Sequence, residues 1–188
     1  MKRSARVVML AAIVVAVVLW VTACAPGETT QSPGYVSGDG TVTEWAQGSR
    51  PGPLELKGTA FDGSAVDLAE YRGQVVVVTT WYAACPPCRA EAPDLVELDA
   101  RDGVVVVGVN SEDTAGTAQA FERTFGVTYP SIADADGTAT ASLQGLVAIN
   151  AVPTALVVDP DGMVAARTIG RVEPSTLAAL VDAAGASS

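Results

Sequence analysis

The chain has 188 residues, 49% of them apolar, with a net charge of −10 and no histidine. That much apolar material builds a buried core and excludes a disordered chain, while the acidity serves solubility and excludes nucleic-acid binding, which needs a basic face. Without histidine there is no base for a His-dependent hydrolase, no c-type haem attachment (Arg89 follows Cys88) and no His-completed zinc or copper site.

In chain order, residues 1–6 carry Lys2, Arg3 and Arg6, and residues 7–21 form a continuous apolar run. A basic head, an apolar stretch and small residues describe a secretory signal. The run nearly spans a bilayer, so an uncleaved anchor is the alternative. Val21-Thr22-Ala23-Cys24 resembles a bacterial lipobox. That resemblance implies a signal peptide over residues 1–23 and a lipid on Cys24, which becomes the mature N-terminus. Either way the rest of the chain is expected outside the cytoplasm, tethered to the outer face of the cytoplasmic membrane. With Cys24 acylated, Cys85 and Cys88 are left to pair with each other. In a compartment where disulfides persist, a pair closing so short a loop suggests chemistry rather than stapling.

Residues 25–33 are rich in Gly, Thr, Ser and Pro and read as a linker. Residues 35–45, centred on Ser37-Gly38-Asp39-Gly40, read as a small hairpin. Together with Cys24 they make an N-terminal region, 24–53, ahead of a domain over 54–188. Residues 54–68 form a second hairpin around Asp62-Gly63, followed by a helical turn at 67–71. Residues 74–80 are a buried-type strand. Pro86 and Pro87 suit the first turn of a helix, where a missing N–H costs little, and that helix runs to about Ala100 with Leu95 and Leu98 inward. Strands are predicted over 104–109, 129–133, 154–158 and 163–169. Helices are predicted over 114–125 (Ala118, Phe121 and Phe125 on one face), 137–145 and 174–184 (Leu177, Leu180 and Val181 inward). Strands alternating with helices give an α/β domain, and the hairpin around Asp159-Pro160-Asp161-Gly162 adds an antiparallel edge.

The segment Trp81-Tyr82-Ala83-Ala84-Cys85-Pro86-Pro87-Cys88-Arg89-Ala90-Glu91-Ala92-Pro93 carries the chemistry. Two cysteines separated by two residues, where a strand runs into a helix, suit a reversible disulfide, because a helix N-terminus stabilises a thiolate. The segment resembles the active site of the TlpA/ResA-like branch of the thioredoxin superfamily. Tyr71-Arg72-Gly73-Gln74 before the strand, Val152-Pro153-Thr154 and the Asp159–Gly162 turn extend the resemblance over about residues 54–184. It implies a thioredoxin-like fold: a mixed central sheet flanked by helices, with an N-terminal β-hairpin extension and a central helix–strand insertion.

The resemblance also implies roles. Cys85 is the nucleophile, expected to be partly exposed, and Cys88 is the more buried resolving thiol. Glu91, three residues after Cys88 on one helix face, is either an acid that tunes the thiols or a surface carboxylate. Pro153 is expected to be an exposed cis proline facing the cysteines, with the Val152 backbone pairing with a substrate strand. Trp81 is a core residue or a wall of the site, and Pro86 and Pro87 line it. Thr79 stands where thioredoxin proper keeps a buried aspartate. Two departures weaken any transfer of substrate identity: Ala84 stands before Cys85 where many relatives have Trp, and Thr79-Thr80 replaces a more usual Asn-Phe.

The activity so implied is thiol–disulfide exchange that reduces disulfides of exported proteins, for example apocytochrome c or metal-site thiols. Electrons would come from a CcdA- or DsbD-like membrane carrier, with no cofactor. An oxidant that inserts disulfides is the alternative. A peroxiredoxin-like peroxidase is disfavoured because Tyr82, not Thr or Ser, stands three residues before Cys85.

Overall fold

The computed structural model describes residues 36–37, 40–147 and 151–186, all within one compact unit, Ser32–Ser188. The signal peptide expected over residues 1–23, Cys24 and the linker expected over 25–33 lie outside the described residues. No helix among the described residues is long and apolar enough to cross a membrane.

The strands are β1 (Val36–Ser37), β2 (Gly40–Glu44), β3 (Lys57–Thr59), β4 (Ala65–Asp67), β5 (Val75–Thr80), β6 (Val104–Asn110), β7 (Ser131–Ala133), β8 (Thr154–Val158) and β9 (Val164–Ile169). The helices are α1 (Pro86–Asp99), α2 (Ala115–Phe125), α3 (Thr138–Ser142) and α4 (Pro174–Gly185). One seven-stranded sheet runs in the order β1-β2-β9-β8-β5-β6-β7, and β3 and β4 form a separate two-stranded sheet. β5, β6 and β7 are parallel neighbours, whereas β8, β9 and β2 add antiparallel strands on the other side of β5. This is the mixed sheet of the thioredoxin-like fold.

β5 shows why the sheet holds together. All six of its residues are buried, as a strand covered on both faces requires. Alternate side chains go to opposite faces. Val75 and Val77 join Val106 and Val157 under α1 and α4, whose Leu95, Leu98, Leu177, Leu180 and Val181 face them. Val76 and Val78 join Val107, Leu156 and Val158 on the other face, covered by Leu54, Leu56, Val66, Leu68 and Leu143. At the C-terminal end of β5 a third cluster gathers Trp81, Cys85, Cys88, Ala92, Ala118 and Phe121.

The N-terminal hairpin is not set apart from this sheet. β2 pairs with β9 from Thr41 opposite Ile169 to Glu44 opposite Ala166. Residue 54, expected as the edge of the domain, therefore lies beyond a strand the sheet already contains. The sequence hides this because a strand's own residues do not say which partner it finds.

Candidate active site

α1 begins at the sulfur. Cys85 is its N-cap, in extended backbone, and Pro86 and Pro87 fill the first two helical positions. Neither proline has an N–H. The amide of Cys88 is therefore the first free donor of the helix, and it donates to Cys85 Sγ at 3.2 Å. Cys85 and Cys88 are disulfide-bonded, with Cα atoms 5.3 Å apart.

The expectation of a partly exposed Cys85 is corrected. In this oxidised state 1% of Cys85 and 3% of Cys88 is exposed. The third core cluster lies against both residues, and the Val152 carbonyl stands 4.0 Å from Cys85 Sγ. Ala84, Pro86, Pro87 and Arg89 are exposed around the pair. Trp81 is a floor, not a wall: it is buried, stacks on Phe121 with ring centres 4.4 Å apart, and its indole N–H donates to Ser131 Oγ at 3.3 Å. Gly108 of β6 makes room for it, since a Cβ there would lie 2.6 Å from Trp81 Nε1.

The Val152–Pro153 peptide is cis. Pro153 is buried rather than exposed, and Val152 is half-buried. The loop is tied down by the Gly170 N–H, which donates to the Pro153 carbonyl at 2.8 Å.

Glu91 is no surface residue: 3% of it is exposed, and its Oε2 has no hydrogen-bond partner. Burial first, then the charge of Asp94, push its carboxyl up to about 7, and Arg171 opposes them. Arg171 is itself held by Asp94, Nη2 to Oδ2 at 3.0 Å. Behind this acid, burial and then Glu91 raise the Tyr129 hydroxyl. Thr79 is buried with its hydroxyl unpartnered, so no acid stands at that position.

Sequence reasoning missed Asn110 and Asp113, which reach the turn before Cys85. Asp113 Oδ2 accepts from the Ala83 N–H at 2.6 Å and from Asn110 Nδ2 at 2.8 Å. The available signal was local: Asn and Asp between a strand and a helix favour side-chain-to-backbone turns.

A dithiol pair capping a helix beside a cis proline, on a mixed sheet of this order, defines the thioredoxin-fold thiol–disulfide oxidoreductases, and this protein is one. The chain belongs to the Redoxin family, whose model matches residues 41–183. It is 31% identical over 129 residues to the thiol:disulfide interchange protein HelX of Rhodobacter capsulatus, covering 69% of this chain and 70% of that protein. It is 31% identical over 106 residues to the thiol:disulfide interchange protein DsbE of Pseudomonas aeruginosa, covering 56% of each chain. The chain thus spans little more than half of that second relative. Among solved structures, a DsbF homologue from Corynebacterium diphtheriae superimposes with a TM-score of 0.69 at 32% identity, over 81% of this chain and 96% of that one.

The raised acid yields a stability prediction. The folded protein keeps the Glu91 proton up to about pH 7, whereas the unfolded chain loses it near the ordinary value of 4.5. Folding stability from this group is therefore complete below pH 4.5 and falls as pH rises towards 7. Glu91→Gln removes the penalty. Oxidised Glu91→Gln protein should melt about 10 °C above the parent at pH 8 and together with it at pH 4. Equal melting temperatures at pH 8 would show that the carboxyl is not strained by burial.

Proposed function

We propose that the protein is a membrane-tethered, extracytoplasmic reductant of disulfides in exported proteins. The observation that carries the direction is the N-terminus of α1, where two prolines withhold amides and, among the described residues, only the Cys88 N–H donates to Cys85 Sγ. Fewer donors stabilise a thiolate less, and a less stabilised reduced form gives up its electrons more readily.

In the cycle, the Cys85 thiolate attacks one sulfur of a substrate disulfide. A Cys85–substrate bond forms, the substrate disulfide breaks, and the departing thiolate takes a proton from solvent. Cys88 then attacks Cys85 Sγ, forming Cys85–Cys88 and releasing the second substrate thiol. Two electrons pass from the dithiol to the substrate. Glu91, on the same face of α1 as Cys88, accepts the Cys88 proton as that sulfur becomes nucleophilic. Its elevated carboxyl suits the task, because an acid poised near the working pH both takes and returns a proton.

Partners approach over Ala84, Pro86 and Pro87, with the exposed Arg89 beside them, and the Val152 backbone offers the edge for an extended segment. The resemblance supports apocytochrome c haem-site cysteines or the metal-site thiols of respiratory oxidases as substrates, and a CcdA- or DsbD-type thiol carrier as electron source. The N-terminal reading supports a lipid on Cys24 after removal of residues 1–23.

Four outcomes test this. Equilibration with a dithiothreitol buffer should give a potential nearer the roughly −270 mV of a reductant such as thioredoxin than the roughly −120 mV of a strong oxidant. A value near the latter would install the oxidant reading. Cys88→Ala should accumulate mixed disulfides with its substrates in cells, and Cys85→Ser should trap none. Glu91→Gln should slow resolution of a preformed mixed disulfide by about 10²-fold, and an unchanged rate would remove Glu91 from the cycle. Cys24→Ala should move the protein from the membrane fraction to the soluble fraction; retention would favour an uncleaved anchor.

A further inference from the structure

The turn between β5 and α1 has little of its own to hold it. Ala83 and Ala84 offer only methyl groups, and no glycine or proline stands between β5 and Cys85. Its backbone is fixed instead by hydrogen bonds. Trp81 N–H donates to the Val109 carbonyl, and Cys85 N–H to the Tyr82 carbonyl, each at 3.1 Å. Ala83 is gripped at both of its backbone polar groups by side chains of opposite charge. Asp113 Oδ2 takes the Ala83 N–H at 2.6 Å, and Arg89 Nη1 donates to the Ala83 carbonyl at 3.1 Å.

Both grips are anchored. Asn110, at the end of β6, is 1% exposed. Its Oδ1 accepts from the amides of Glu112 at 3.1 Å and Asp113 at 3.0 Å, and its Nδ2 holds Asp113 Oδ2 at 2.8 Å. The Arg89 guanidinium lies over the Phe125 ring, 4.9 Å from its centre, which ties that side to α2. β6 is paired along its length with β5. A chain of contacts thus runs from the sheet through Asn110 and Asp113 to Ala83, two residues before the nucleophile.

We propose that Asp113 is a positioning residue for Cys85, holding the sulfur at the helix N-terminus through the Ala83 peptide while Arg89 holds the opposite side. The proposal rests on the reading of Cys85 as the reacting thiol. Its importance lies in the reduced state. When the disulfide opens, Cys85 Sγ loses its covalent link to Cys88, and its register with the Cys88 N–H depends on the backbone that carries it. A carboxylate on an amide is a charge-assisted hydrogen bond, about twice as strong as a neutral one, so this grip outlasts the opening.

Two substitutions separate position from charge. Asp113→Asn keeps an oxygen for the Ala83 N–H and loses the charge; Asp113→Ala loses both. In the reduced full chain, iodoacetamide labelling of Cys85 is followed against pH by peptide mass. Asp113→Ala should move the labelling midpoint upward by about one pH unit, a fall of about tenfold in rate at pH 7. Asp113→Asn should restore the midpoint to the parent value or below it. An unchanged midpoint in Asp113→Ala, or no restoration by Asp113→Asn, overturns the proposal. So does a downward shift in both, the mark of a carboxylate acting on the sulfur by charge alone. If Asp113→Ala does not fold, amide hydrogen exchange in the parent decides. Protection of the Ala83 N–H in both oxidised and reduced protein supports the grip, and free-peptide exchange in the reduced protein overturns it. Neither readout needs a protein substrate, so failure of the reductase cycle and failure of the grip are told apart.

Discussion

The Cys88 N–H pointing at Cys85 Sγ is the contact on which the rest of the molecule converges. It exists because a strand buried on both faces ends where a helix starts, and because the helix's first two residues have no N–H to compete. Burial of β5 between two layers of valine and leucine fixes the height of that junction. Packing of Leu95 and Leu98 beneath α1 fixes the direction of the helix. Without either layer the sulfur would have no fixed amide to face, and its reactivity would be that of an ordinary cysteine.

A second constraint is the dry surrounding of the pair. Trp81, Phe121, Ala92 and Ala118 pack with the two cysteines in one apolar cluster. In that setting one buried carboxyl has large leverage. Glu91 shares its neighbourhood with Asp94 and Arg171, and Arg171 follows directly on Gly170, whose N–H holds the cis-proline loop. The helix carrying the thiols and the loop carrying Pro153 are therefore coupled through the end of β9. The buried Glu91 and the cis-proline loop thus belong to one packed unit.

Much of this was legible along the chain. The elements follow local patterns: the β-branched run of β5, the spacing of Leu177, Leu180 and Val181 in α4, and Gly126, whose left-handed backbone ends α2. The cysteine pair and the tandem proline carry their own signatures, whereas the cis proline was legible only through the family resemblance. What was not legible involved partners distant in sequence. Trp81 read as a core residue or a wall of the site until Phe121 and Ser131 came to meet it. Glu91 read as a surface residue or a functional one until its exposure was known.

The sequence by itself determined where the sulfurs sit in relation to a strand end and a helix start, because that relation spans only a few covalently joined residues and their conformational preferences. Tertiary structure alone decided how deep the pair lies, that β2 closes onto β9, and that Asp113 grips an amide 30 residues away. Burial and long-range hydrogen bonds arise from the simultaneous packing of segments whose meeting no local pattern encodes.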